Sequence, residues 1–147
     1  MNRALIANWQ AQVGHDDDVY IIGDVFFTST AEAIRILDQL PGRKHLIFGN
    51  HDENIRKSPE LLAKFESVHE YLVLTIDEII VVLFHFPILE WHRMHYGSYH
   101  LYGHVHGKTQ VPGRAMDVGV DSRRDNKLWE WSEVHAKLKD GHVRSHH

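Results

Sequence analysis

The sequence contains no cysteine. That excludes disulfides and any thiolate metal site. No apolar run approaches the ~20 residues that a bilayer-spanning helix needs, and the N-terminus lacks the charged-then-apolar pattern of a secretory signal. A cytoplasmic protein with no membrane partner is the expectation. Basic charge is also scarce, with 16 Lys and Arg against 20 Asp and Glu and a net charge of −4. This argues against a broad nucleic-acid surface, and so against long duplex nucleic acid as a partner. Repeats, low-complexity stretches and linkers are all lacking. The 147 residues therefore read as one domain, 1–147. With 43% hydrophobic and 24% charged residues, the chain has the profile of a folded globular protein.

Histidine is abundant, at 14 residues. The end of the chain, residues 144–147, resembles the start of a histidine tag. Without His146 and His147, twelve histidines still remain. Neutral imidazole is the commonest metal ligand, so a metal site is the first hypothesis.

Leu5, Trp9 and Val13 recur at i, i+4, i+8 and predict a helix from Met1 to Val13. Val19 to Ile22 predicts a buried strand that stops at Gly23-Asp24. Ser29 to Glu32 has capping-box spacing. The helix it opens turns Ala33, Ile34, Leu37 and Leu40 inward and ends at Pro41-Gly42. Leu46 to Phe48 predicts a second strand, ending at Gly49-Asn50-His51-Asp52. Ser58-Pro59 opens a third helix reaching about Phe65. Tyr71–Thr75 and Ile79–Phe84 predict a hairpin, followed by strands at His100–Tyr102 and Ala115–Val120 and a last helix at Ser132–Lys139. Helix and strand alternate early, and strands dominate later. The class expected is α/β, with a sheet parallel at first and mixed afterwards.

Chemistry-bearing residues fall at the ends of these strands. Asp24, Asn50, His85 and the pair His104 and His106 each follow an apolar strand directly. In α/β folds the carboxyl ends of strands face the ligand crevice. Each residue alone has a bland reading as a turn former or core histidine. Together they deliver metal-type donors from four segments to one edge. Mixed Asp, Asn and His donors suit manganese, iron, zinc or nickel better than calcium or magnesium.

Gly23-Asp24-Val25, Gly49-Asn50-His51-Asp52, His85 and Gly103-His104-Val105-His106 resemble, in order and spacing, the successive motifs of the calcineurin-like metallophosphoesterase family. Asp117 to Asp121 resembles a later segment of its small bacterial members. The resemblance implies an αββα sandwich holding two metal ions. It assigns Asp24 to bridge both metals. It places Asn50, His85 and His104 on the second metal and His106 on the first. It makes His51 the residue that contacts the phosphate or protonates the leaving oxygen, with Asp52 orienting it. Divalent transition metal is the implied cofactor, manganese foremost, with iron, nickel or zinc as alternatives. The implied partner is a small phosphate ester.

That family opens with an Asp-x-His motif on a first strand, whose two residues ligate the first metal. Nothing of the kind precedes the helix at Met1. The first site would keep only Asp24 and His106, while the second keeps all four protein ligands. Candidate substitutes are His15, His92, His95, His142, His146 and His147. A sheet without its first strand has an open edge, and a homo-oligomer is the expectation from it. The function expected is hydrolysis of phosphate esters, diesters ahead of monoesters, by metal-activated water. The alternatives are a non-catalytic metal-binding remnant, a nuclease or a phosphomonoesterase. His95 and Tyr96 are weak candidates for substrate contacts. Arg56 and the pair Arg123-Arg124 read as surface residues, and the four tryptophans as packing.

Overall fold

The computed structural model describes residues 3–23, 29–105 and 108–144. Among the described residues five α-helices and seven strands follow one another as α1 (Arg3–Gln12), β1 (Asp18–Ile22), α2 (Thr30–Gln39), β2 (Arg43–Ile47), α3 (Glu53–Arg56), α4 (Pro59–Leu62), β3 (Ser67–His69), β4 (Tyr71–Ile76), β5 (Ile79–Phe84), β6 (Tyr99–Tyr102), β7 (Ala115–Asp117) and α5 (Trp131–Leu138). They build two sheets. The first is parallel with order β1-β2-β3, and the second is mixed with order β4-β5-β6-β7.

Periodicity explains how the layers stack. In the first sheet Val19, Ile21 and Leu46 project to one side. There they pack with Trp9 of α1 and Ala33, Ile36 and Leu37 of α2. Tyr20, Ile22 and Ile47 project to the other side, against Val81, Leu83, Tyr99 and Leu101 of the second sheet. The outer face of the second sheet is covered at Val82 by Trp91 and Met94. Ser29 caps α2 by accepting the Glu32 N–H at 3.1 Å. The β4–β5 hairpin turns on Asp77 and Glu78, both with positive φ, the backbone hand that matches strand twist in a two-residue turn.

Several elements depart from the sequence expectation. The strand expected at Leu46–Phe48 begins earlier, at Arg43, because polar Arg43 pairs with Asp18 of β1. The third helix is one turn, Pro59–Leu62, since the chain must leave it to form β3. Neither α3 nor β3 is foreshadowed by an apolar run. The strand expected over Ala115–Val120 stops at Asp117. No described helix is long and apolar enough to cross a membrane.

Candidate functional site

The register of the parallel strands sets the site. Ile22 lies opposite Ile47 in the first sheet, and Leu83 opposite Leu101 in the second. Strands β1, β2, β5 and β6 therefore end together, at Gly23, Gly49, His85 and Gly103. The turn after β2 is closed by Asp52, which is 1% exposed and accepts the Gly49 N–H at 2.6 Å. That closure leaves Asn50 and His51 on the outside of the turn. His85 is buried at the end of β5. The Gly103 N–H donates to the His85 carbonyl at 3.0 Å, locking the β6 end to the β5 end. His104 then takes a left-handed backbone with φ of 64°. This conformation costs a non-glycine residue about 1 kcal/mol, and here it folds the ring back over His85, with centroids 5.0 Å apart.

Three donor atoms converge as a result. His85 Nε2 is 2.9 Å from Asn50 Oδ1 and 3.1 Å from His104 Nδ1. His85 Nδ1 faces the Ile22 carbonyl at 3.4 Å and Nε2 faces Asn50 Oδ1; both oxygens are acceptors, and the ring proton serves one or the other according to the tautomer. In the tautomer protonated at Nδ1, Nε2 offers a lone pair beside that of Asn50 Oδ1. In that tautomer, lone pairs this close call for a cation between them. Donors at right angles about an ion at about 2.1 Å lie about 3.0 Å apart, and the observed spacings fit. A ligand histidine whose other nitrogen donates to a backbone carbonyl is the usual way a metal-binding ring is oriented. The donor set thus fits a divalent transition metal. It holds two histidines and one asparagine. Among the described residues no group of three or more His, Asp or Glu comes together.

Glycine is required where β1 meets this cluster. Gly23 has φ of +71°, and a Cβ there would lie 2.2 Å from His85 Nδ1. At Gly103 a Cβ would lie 2.9 Å from the Ile22 carbonyl oxygen. The ends of β1 and β6 can therefore close around His85 only without side chains of their own. Asp24 and His106, expected as the bridging ligand and a first-metal ligand, lie outside the described residues.

His51 stands beside the cluster. The Asn50 amide donates to His51 Nε2 at 3.1 Å. A cleft of about 400 Å³ opens next to it, lined by His51, Asn54 and Lys57 and by Ser29 and Thr30 at the start of α2. On the other flank Phe86, 38% exposed, lies 4.6 Å from the His104 ring. Sequence reading missed this wall, although Phe86 follows His85 directly.

Other candidates are placed elsewhere. His95 Nδ1 donates to the Arg144 carbonyl at 2.6 Å, and Tyr96 is 82% exposed. His15 precedes β1, at the opposite end of the strand from the cluster. His146 and His147 lie outside the described residues. Arg56 pairs with Glu70 and covers the Phe48 ring. An Asp-x-His triplet does occur, at Asp140-Gly141-His142, after α5. The Gly141 carbonyl accepts from Arg114, which precedes β7. The triplet therefore sits at the end of the second sheet remote from the cluster. Arg123 is no solvated loop residue. It bonds Asp125, Glu133 and the Leu128 carbonyl and covers the Trp129 ring.

No family model matches the chain. The Gene 66 protein of Mycobacterium phage D29 is 32% identical over 161 aligned positions, spanning 90% of this chain and 80% of its own length. The chain belongs to the Gene 66 protein family. The Gene 66 protein of Mycobacterium phage L5 is 30% identical, spanning 78% of this chain and 70% of its own. The Gene 66 fold is shared with a solved protein of unknown function from Aquifex aeolicus. That match has a TM-score of 0.69 and 23% identity, over 91% of this chain and 83% of the other.

Proposed function

We propose that the chain is a metal-dependent phosphoesterase of the calcineurin-like kind, acting on small phosphodiesters. The observation that carries this reading is the convergence of Asn50 Oδ1, His85 Nε2 and His104 Nδ1 from three strand ends. The two packed sheets, with helices on the outer face of the first, are consistent with the αββα sandwich that the sequence resembles.

Asn50, His85 and His104 would hold a divalent transition metal, manganese foremost, with Asp24 and His106 as the remaining ligands by resemblance. When bound, such an ion lowers the pKa of coordinated water and offsets phosphoryl charge. The chain's own residues supply the rest. His51, held beside Asn50, is placed to protonate the leaving oxygen, a role imidazole commonly serves. Asp52 fixes the turn that carries both residues. The cleft beside His51 seats the leaving portion of the ester, and Phe86 shields the opposite side from water.

The test is hydrolysis of bis(p-nitrophenyl) phosphate by protein stripped of metal and reloaded with Mn²⁺. His51→Ala should lower kcat at least about a hundredfold, the usual contribution of a general acid, while Mn²⁺ binding persists. A folded protein that binds Mn²⁺ without turnover would instead be a metal-binding module. Faster hydrolysis of p-nitrophenyl phosphate, or of oligonucleotides, would move the assignment to a phosphomonoesterase or a nuclease.

A further inference from the structure

The three parallel strands of the first sheet carry a relay of polar side chains toward their starts, away from the ends that meet at His85. Side chains two apart on a strand share a face. Asp18 of β1 therefore lies on the face of Tyr20 and Ile22, and His45 of β2 on that of Ile47. The registers place Asp18 beside Arg43, His45 beside Ser67 and Ile47 beside His69. As a result His45 Nε2 is 2.9 Å from Asp18 Oδ1, and His45 Nδ1 is 2.6 Å from Ser67 Oγ. His69 Nε2 approaches the same Oγ at 2.8 Å. Tyr20 stacks on the His45 ring, with centroids 4.7 Å apart, and fixes its plane.

The direction of each hydrogen bond follows from the groups that make it. Hydrogen bonds from Arg43 and His45 lower the Asp18 pKa to about 2, so its carboxylate can only accept. In neutral His45 the ring proton therefore sits on Nε2, facing Asp18, and Nδ1 turns a lone pair toward Ser67. The Ser67 hydroxyl donates to that lone pair, and Oγ accepts the N–H of His69 Nε2. A hydroxyl whose proton points at an imidazole, itself held by a carboxylate, is the arrangement of an activated nucleophile. The His69 N–H, on the same Oγ, is a donor within reach of a negative oxygen forming on an acyl group bound there. Arg43 holds both Asp18 oxygens, at 2.9 and 3.1 Å, and keeps the carboxylate in place. The His45 side chain is 14% exposed, and Ser67 and His69 are partly exposed, so the group borders solvent.

We propose that Ser67 is the nucleophile of a second site, one that hydrolyses small carboxylic esters through an acyl-serine. Ser67 Oγ bonds to the ester carbonyl carbon as its proton passes to His45 Nδ1. The carbonyl oxygen, now negative, takes the His69 N–H. The bond to the alcohol oxygen then breaks, and the alcohol leaves with the proton from His45. Water, losing a proton to His45, attacks the acyl carbon. The carboxylic acid departs, and the proton on His45 returns to Ser67 Oγ. Asp18 is the positioning residue for His45. None of these residues belongs to the metal-type cluster, so this site and the phosphoesterase reading stand or fall separately.

The test uses the full chain in the presence of a metal chelator, with two probes. Diisopropyl fluorophosphate should label Ser67 with loss of fluoride, as located by peptide mass spectrometry. His45→Gln should slow labelling at least about a hundredfold, the usual contribution of a general base. Asp18→Asn should slow it at least about tenfold, and Asp18→Glu, which keeps a carboxylate, should restore part of the rate. p-Nitrophenyl acetate should be hydrolysed with acetyl carried on Ser67, and Ser67→Ala should lower that turnover at least about tenfold. Circular dichroism verifies the fold of each variant. A folded parent protein whose Ser67 stays unlabelled would overturn the proposal. So would labelling of folded His45→Gln at the parent rate, or ester turnover that is unchanged in folded Ser67→Ala.

Discussion

Gly23 and His85 are coupled at the level of single atoms. With φ of +71° and the His85 ring where a Cβ would stand, Gly23→Ala must both strain the backbone and displace the ring. The expected loss is about 1–3 kcal/mol of stability, the range for a side chain forced into such a conformation. It should be accompanied by weakened Mn²⁺ binding, and thermal melts with and without Mn²⁺ read both effects. A glycine substitution far from the cluster, such as Gly14→Ala, should leave Mn²⁺ binding unchanged. His100 is a histidine of the opposite kind. It is fully buried, its Nδ1–H donating to the Val82 carbonyl and its Nε2 accepting the Ile88 N–H. Burial holds its pKa below the ordinary value. The folded protein therefore keeps His100 neutral while the unfolded chain takes up a proton near pH 6.5. Stability should fall as pH drops through about 6.5 and go on falling until the folded state also protonates. Urea midpoints between pH 7.5 and 5 measure this slope. His100→Asn should be less stable at pH 7.5 by about 1–3 kcal/mol, through lost buried hydrogen bonds, and should show a shallower slope.

Among the elements, the strands that carry the site were legible because each apolar run stops abruptly at glycine and a polar residue. Ile22-Gly23, Phe48-Gly49-Asn50 and Tyr102-Gly103-His104 are such stops. Elements without an apolar run were not legible. Strand β3, Ser67–His69, owes its existence to pairing with β2, and its residues carry no alternation strong enough to announce it. The extension of β2 back to Arg43 depends on the Arg43–Asp18 ion pair at 2.9 Å, which joins residues far apart in sequence. Arg123 shows the same limit. Its charge suggested solvent, yet its side chain is only 16% exposed and ties the loop before α5 to the helix through Glu133. Arg123→Ala should cost about 1–3 kcal/mol, because hydrogen bonds from a charged group and packing on Trp129 are lost together. Chemical denaturation tests this. A change below about 0.5 kcal/mol, typical of a surface position, would show the clamp to be incidental.

For the whole molecule, two sheets with parallel strands ending at a common edge form a frame that gathers distant residues. Asn50, His85 and His104 are separated by 35 and 19 positions, and only the registers of both sheets bring them within hydrogen-bond distance. Their strand-end positions could be read from sequence. The left-handed turn at His104 and the meeting of the Ile22 carbonyl with the His85 ring could not, since each depends on how separate segments meet. The fold is shared with other proteins, but fold alone fixes no activity, so any metal chemistry rests on these three donors. The most direct test is calorimetric titration of metal-free protein with Mn²⁺, repeated on His85→Ala and Asn50→Ala. At least one site is expected in the parent protein, lost or weakened at least about tenfold in each variant, with the fold retained. Unchanged Mn²⁺ binding in both variants, or no binding by the folded parent, would contradict it.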